Sequence, residues 1–387
     1  MFSGFVGIIL IFFIPYTASG FKAVGTLFNS LFGFDYHVSM IAGAAIIIGY
    51  TVLGGFLAVS TTDLIQSVVM SIALIIIVFF GIHVAGGWDA VISNAQSLAG
   101  YLSMTSMHNM ADHTSSPYSL LTICSTLAWG LGYFGMPHIL LRFMAIEDEN
   151  KLTLSRRIAS VWVVISMFVA ILIGIIGYSA SVAGSVPMLS TSSQSETIII
   201  QLSGLLGQNG FLLSIIAGIV LAGILASTMS TADSQLLTAA SGISQNLLQD
   251  FLKIKMDTKT SMRAARLTVI GIALVAVVLA WNPDSSVFTI VSFAWAGFGA
   301  SFGPVMLFAL FWKRSNLPGA IAGMVAGGVM VFVENMASSL WAVSGESTNC
   351  SRHSWWPVRQ SSSFPWPLQH LPRKSVISSI PSGNNRT

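Results

Sequence analysis

The chain has 387 residues, of which 54% are hydrophobic and 8% charged, and its formal net charge is +3. A soluble domain carries about 25% charged residues, so this composition excludes a water-facing globule. With a mean hydropathy of +0.78, a lipid bilayer is the expected solvent. The small cationic excess sits in a few loops and requires no nucleic-acid partner. Cys124 and Cys350 form neither a disulfide framework nor a CxxC metal site.

A membrane helix needs about 20 apolar residues. Segments that meet this requirement predict about nine spans, near residues 4–28, 39–60, 64–86, 118–141, 158–183, 211–235, 265–281, 287–312 and 318–342. The fold class is therefore all-α and polytopic. A shorter apolar run, TIIIQLSGLLG, is too short to cross and reads as a re-entrant or surface helix. Arg142, Lys151, Arg156 and Arg157 share one connection, Lys253 to Arg266 a second, and Lys313 and Arg314 a third, while the alternate connections carry no Lys or Arg. The positive-inside rule puts the basic loops in the cytoplasm. From Ser344 to Thr387 the chain turns rich in Ser, Pro, Arg and Trp. That tail reads as a disordered extension or, more sharply, as translation out of frame, which the other two frames of the coding DNA test.

Polar groups inside spans are costly and tend to be functional. The fourth segment contains WGLGYFGMPHILLRF, with Gly130, Gly132, Gly135 and Pro137 close together. Proline has no N–H to give and its ring crowds the carbonyl four residues back, so this helix should break. Broken spans build substrate sites in transporters. Trp129 and Tyr133, four apart, would share a helix face beside the break; a packing kink with interfacial aromatics is the alternative. The sixth segment carries Ser227, Thr228, Ser230, Thr231, Asp233, Ser234 and Thr238. Such a hydroxyl row offers hard oxygen ligands for a hard cation, or serves as packing glue between helices. Asp63, placed between the second and third spans, either faces an ion path or is a solvated loop carboxylate or helix cap, the second being favoured. Lys22 and Glu334 read as snorkelling side chains. No P-loop and no HExxH spacing is found. A cation-coupled transporter remains open beside a membrane channel or membrane-embedded enzyme.

ASTMSTADSQLL resembles the hydroxyl-rich helix of the sodium/solute symporter family, and WGLGYFGMPHILLRFMA, GGFLAVSTTD and SFAWAGFGASFGPVMLF resemble its proline-transporting branch, over about residues 1–343. The resemblance implies a LeuT-type core of two inverted five-helix repeats. On that pattern residues 1–86 supply three helices of an incomplete first repeat, 87–117 an extracellular loop, 118–312 a complete second repeat, 313–343 an additional helix and 344–387 the abnormal tail. It implies sodium-coupled symport of a small solute, proline first and another solute such as pantothenate second, at the plasma membrane. It implies substrate contacts at Trp129, Tyr133 and Pro137, sodium ligands at Ser230, Thr231 and the Ser227 carbonyl, and supporting roles for Asp63 and Ser19. The family's first broken helix has no counterpart here, so the expectation is that this polypeptide alone transports little; uptake by vesicles holding only this chain tests that.

Overall fold

The computed structural model describes residues 3–109 and 113–343; the tail from Ser344 onward lies outside the described residues. Helix α1 spans Ser3–Phe32, α2 Tyr36–Val84 and α3 Trp88–Ser97. A two-stranded antiparallel hairpin, β1 (Ser106–His108) with β2 (Ser115–Pro117), follows. Then come α4 (Leu120–Ala128), a 3₁₀ turn at Trp129–Gly135, α5 (Pro137–Met144) and α6 (Leu152–Val182). The short α7 (Ser192–Ser195) and α8 (Ile198–Gly207) lead to α9 (Phe211–Ser241), which ends in a π-helix at Gly242–Phe251. The described chain closes with α10 (Thr258–Leu279), α11 (Val287–Phe311) and α12 (Leu317–Val343).

Seven helices among the described residues are long and apolar enough to cross a membrane. They reconcile with nine expected spans in two ways. Helix α2 has 49 residues, about 70 Å at 1.5 Å per residue, more than twice a bilayer core of about 30 Å. It is broken at Gly55, where φ is 65° and ψ −168°, a conformation open almost only to glycine. The fourth expected span is the α4–3₁₀–α5 unit, whose pieces are individually too short. The polar run Ser60–Asp63 is not the connection between spans that its composition suggests. Thr61 and Thr62 donate their hydroxyls to Leu57 and Ala58 at 2.9 and 3.0 Å, which keeps them helical, so the break moves back to the glycine pair. Helix α8, at 10 residues, is too short to cross.

Lipid as solvent is visible in α6. Its most apolar window has a mean hydropathy of 2.7, yet only 6% of it is buried inside the protein. A helix apolar all round and uncovered by protein requires hydrocarbon around it. The buried side chains form two clusters. One joins α1, the first half of α2, the second half of α9, α10 and α11 through Phe13, Met40, Leu236, Ala273 and Phe298. The other joins the second half of α2, α3, α6, α8 and the first half of α9 through Ile77, Val91, Ile176, Leu202 and Val220. Helices α2 and α9 run through both clusters, and their shared contact is where the polar residues gather.

Candidate functional site

The fourth span breaks where its glycines and proline predict. Ser119 caps α4 by accepting from Thr122 N at 3.1 Å. After Ala128 the chain tightens into the 3₁₀ turn, Met136 is extended at φ −85° and ψ 106°, and Pro137 opens α5 at its first position, where its missing N–H costs nothing. The glycines let this segment lie backbone to backbone on α11. A Cβ on Gly135 would overlap the Phe298 carbonyl, and one on Gly299 would stand 3.1 Å from Gly132 Cα.

The 3₁₀ geometry changes the relation of Trp129 to Tyr133. Residues four apart share a face on an α-helix but are offset by about 120° at three residues per turn. The two rings meet through a third, Trp295 of α11. Trp129 stacks on it at 5.4 Å and 19°, and Tyr133 meets it edge-on at 4.7 Å and 82°. Phe288 stacks on Trp129 at 6.0 Å. Trp295 Nε1 donates to the Tyr16 hydroxyl of α1 at 3.0 Å. Trp129 and Tyr133 are each 40% exposed, so the cluster forms a half-open aromatic wall. Glu196, just before α8, steadies its outer edge by accepting from Ser286 Oγ at 2.6 Å and from Val287 N and Phe288 N at 2.9 Å.

The other half of the break is held by charge. Arg142 of α5 pairs with Asp63 Oδ2 of α2 and donates to Ser234 Oγ of α9 at 2.5 Å. Ser234 Oγ lies 3.2 Å from Asp233 Oδ1, and the Tyr50 hydroxyl donates to Asp233 Oδ2 at 2.7 Å. Tyr50 and Asp63 stand on opposite sides of the Gly55 break, so the network laces both halves of α2 to α5 and α9. Asp63 is 9% exposed and its Oδ1 has no partner among the described residues. The solvated-loop reading of Asp63 is thereby corrected: it is a buried, helical, ion-paired carboxylate.

On α9 the hydroxyls of Ser230 and Thr231 both donate to the Ser227 carbonyl at 3.1 Å, and Ser234 Oγ reaches the Ser230 carbonyl at 2.9 Å. Their protons are spent on the helix itself, and a hydroxyl that donates keeps acceptor capacity. The row therefore presents oxygen lone pairs, as a hard cation requires. Helix α1 connects this row to the aromatic wall. Thr17 donates to Gln235 of α9 at 3.2 Å, and Gly20 lets α1 approach so closely that a Cβ there would stand 3.3 Å from Ala232 Cβ. Ser19 is buried and donates to the Tyr16 carbonyl at 2.6 Å; it braces the turn beneath Tyr16.

Several of these residues escaped the sequence reading. Arg142 counted only as a loop cation, yet it is the inner tether. Tyr16 and Glu196 fall in no motif, and Trp295, inside SFAWAGFGASFGPVMLF, was given no role of its own; an aromatic on an apolar helix looks like packing until its ring partners are known. Lys22 does not snorkel. It is 1% exposed, donates to the Pro283 carbonyl at 2.5 Å and lies 5.8 Å from the centre of the Tyr36 ring.

The chain is similar to known proteins over most of its length. Residues 5–327 match the model of the sodium:solute symporter family. The chain is 39% identical over 347 residues to the high-affinity proline transporter PutP of Bacillus subtilis (strain 168), covering 90% of this chain and 68% of that one. It is 38% identical over 329 residues to the sodium/proline symporter of Staphylococcus aureus, covering 84% of this chain and 61% of that one. It thus spans about two thirds of the length of these relatives. A solved Na⁺-coupled sialic acid symporter in a substrate-bound outward-open state superposes with a TM-score of 0.69 over 92% of this chain and 71% of that one, at 18% identity, which establishes the shared fold. A broken aromatic-lined span, a hydroxyl-rich partner helix and a family match over most of the sequence make this chain a multi-pass membrane protein of the sodium:solute symporter family.

Proposed function

We propose that the chain carries the substrate wall and a sodium-ligating helix of a sodium-coupled proline symporter working by alternating access. The observation that carries this reading is the junction at Trp295, where Trp129, Tyr133 and Tyr16 converge beside a helix break. A pyrrolidine ring is small, apolar and rigid, and it suits contact with aromatic faces and edges. Pro137 contributes by fixing the break rather than by offering a polar group. Sodium, a co-substrate here, takes oxygen ligands from Ser230, Thr231 and the Ser227 carbonyl. Asp63 of α2, whose Oδ1 has no partner among the described residues, meets α9 at Ser234, one helical turn beyond Ser230 and Thr231, which supports its place on the ion path. The Arg142–Asp63 pair then closes the cytoplasmic side of the path, and its rupture accompanies release.

The test is a chimera in which residues 5–327 replace the matching segment of the Bacillus subtilis relative, placed in a membrane without other proline carriers. Labelled proline should enter saturably with a sodium gradient and not with choline in its place. Ser230→Ala with Thr231→Ala should raise the sodium concentration needed for half-maximal uptake by tenfold or more. Uptake indifferent to sodium, or unchanged by that double substitution, would contradict the reading.

A further inference from the structure

The connection between α9 and α10 contains chemistry that the transport reading does not use. Between Asp250 and Arg266 stand Lys253, Lys255, Lys259, Arg263 and Arg266 against two carboxylates, Asp250 and Asp257. One of those carboxylates is engaged at the start of α10, where Asp257 accepts from Thr260 N at 3.3 Å. All five cations are exposed, and none forms an ion pair among the described residues.

The backbone here is built rather than loose. The π-helix closes with Leu252 N on the Leu247 carbonyl at 3.0 Å, and Ile254 N bonds the Leu248 carbonyl at 3.0 Å. Gln249 donates to Ser261 Oγ at 2.8 Å, tying the π-helix to α10. Between these anchors Lys253 takes a φ of 54°, uncommon for a residue with a Cβ. The result is an open concavity of about 580 Å³ lined by Gln249, Lys253, Ile254, Lys255, Met256 and Asp257.

Two further features fix the class of occupant. Phe251, Leu252 and Ile254 interleave with the lysines and are themselves exposed. On α10, Lys259 and Arg263 lie on one face with Leu267, Ile270 and Leu274, at the three- and four-residue spacings that share a helix face. Leu267 is 69% and Leu274 61% exposed. A single stripe therefore runs from cations at the membrane edge to bare hydrocarbon contacts deeper in the span. A soluble anion would use the first part and leave the second unexplained.

We propose that this stripe is a binding site for an anionic phospholipid of the cytoplasmic leaflet. The headgroup sits among Lys253, Lys255 and Lys259, with Arg263 at its edge, and the acyl chains lie along Leu267, Ile270 and Leu274. Each basic residue near an anionic membrane surface adds about fivefold in affinity, so the three lysines together carry on the order of a hundredfold.

The purified chain in detergent, examined by native mass spectrometry with phosphatidylglycerol or phosphatidylcholine added, tests this. Phosphatidylglycerol should be retained over phosphatidylcholine by tenfold or more. The preference should disappear in the K253Q/K255Q/K259Q variant and survive in K253R/K255R/K259R. Should the glutamine variant not fold, the wild-type preference must still shrink steeply from low to high salt. Equal retention of the two lipids, an unchanged preference in a folded glutamine variant, salt-independent retention, or displacement of the lipid by inorganic phosphate would each overturn the proposal. None of these readouts depends on transport, so the outcome is independent of the symport reading.

Discussion

The outer half of the broken span, Trp129–Gly135, is held by ring contacts and by glycine backbones pressed against α11. The inner half, Pro137–Met144, is tethered by one charged side chain that reaches two other helices. Ring stacking is worth about 0.5–1.5 kcal/mol per pair and changes gradually with geometry. A desolvated ion pair is closer to all or none, because removing one partner leaves the other charge buried. A span built this way has one end held by several graded contacts and one end held by a single charged contact.

The contrast is broken most severely at the charged contact. Arg142→Gln should destabilise the protein by about 2–3 kcal/mol, less than for a fully buried pair, because the guanidinium is 42% exposed while Asp63 is 9% exposed. Adding Asp63→Asn removes the stranded charge and should restore more than half of the lost thermal stability in detergent melts. If the double variant is no better than Arg142→Gln, the pair does not act as a unit.

Gly135→Ala should come next, at about 1–3 kcal/mol, because its Cβ meets the Phe298 carbonyl, whereas Gly130→Ala faces open space and should leave the melt unchanged or slightly raised. Equal effects at the two glycines would remove the close-packing account. Trp129→Leu should cost about 1 kcal/mol of stacking while leaving the Arg142–Asp63 coupling untouched in a double-mutant cycle. The smallest stability change is expected at Pro137→Ala, under about 1 kcal/mol, since proline at a first helical position is favourable but not required. Its effect should appear instead as a weaker apparent affinity for proline in the chimera.

The same contrast explains what could be read from the sequence. Glycine and proline act through their own backbones, so the break at 129–137 and the family's motifs there were legible in one dimension. The apolar spans were legible for the same reason, since apolar runs report their own length, although only seven described helices are individually long enough to cross. Charges act through partners. Asp63 looked like a loop carboxylate because Ser60, Thr61 and Thr62 beside it are polar, and only the helix shows those threonine hydroxyls turned back onto their own carbonyls. Arg142 and Asp63 are 79 residues apart, and no local pattern joins them. Lys22 finds its acceptor 261 residues away, so its burial was equally invisible. Trp295 became a site residue only when α11 was seen to bring it between Trp129 and Tyr133.

The central claim is that the Trp295 junction receives the substrate and the hydroxyl row of α9 receives sodium. Sodium-dependent uptake of labelled proline by the chimera, compared between the unaltered segment and Trp295→Ala, tests it most directly. The account predicts saturable, sodium-driven uptake whose apparent affinity for proline falls by tenfold or more in the variant. Uptake with unchanged proline affinity in a Trp295→Ala chimera that is folded and inserted would contradict it.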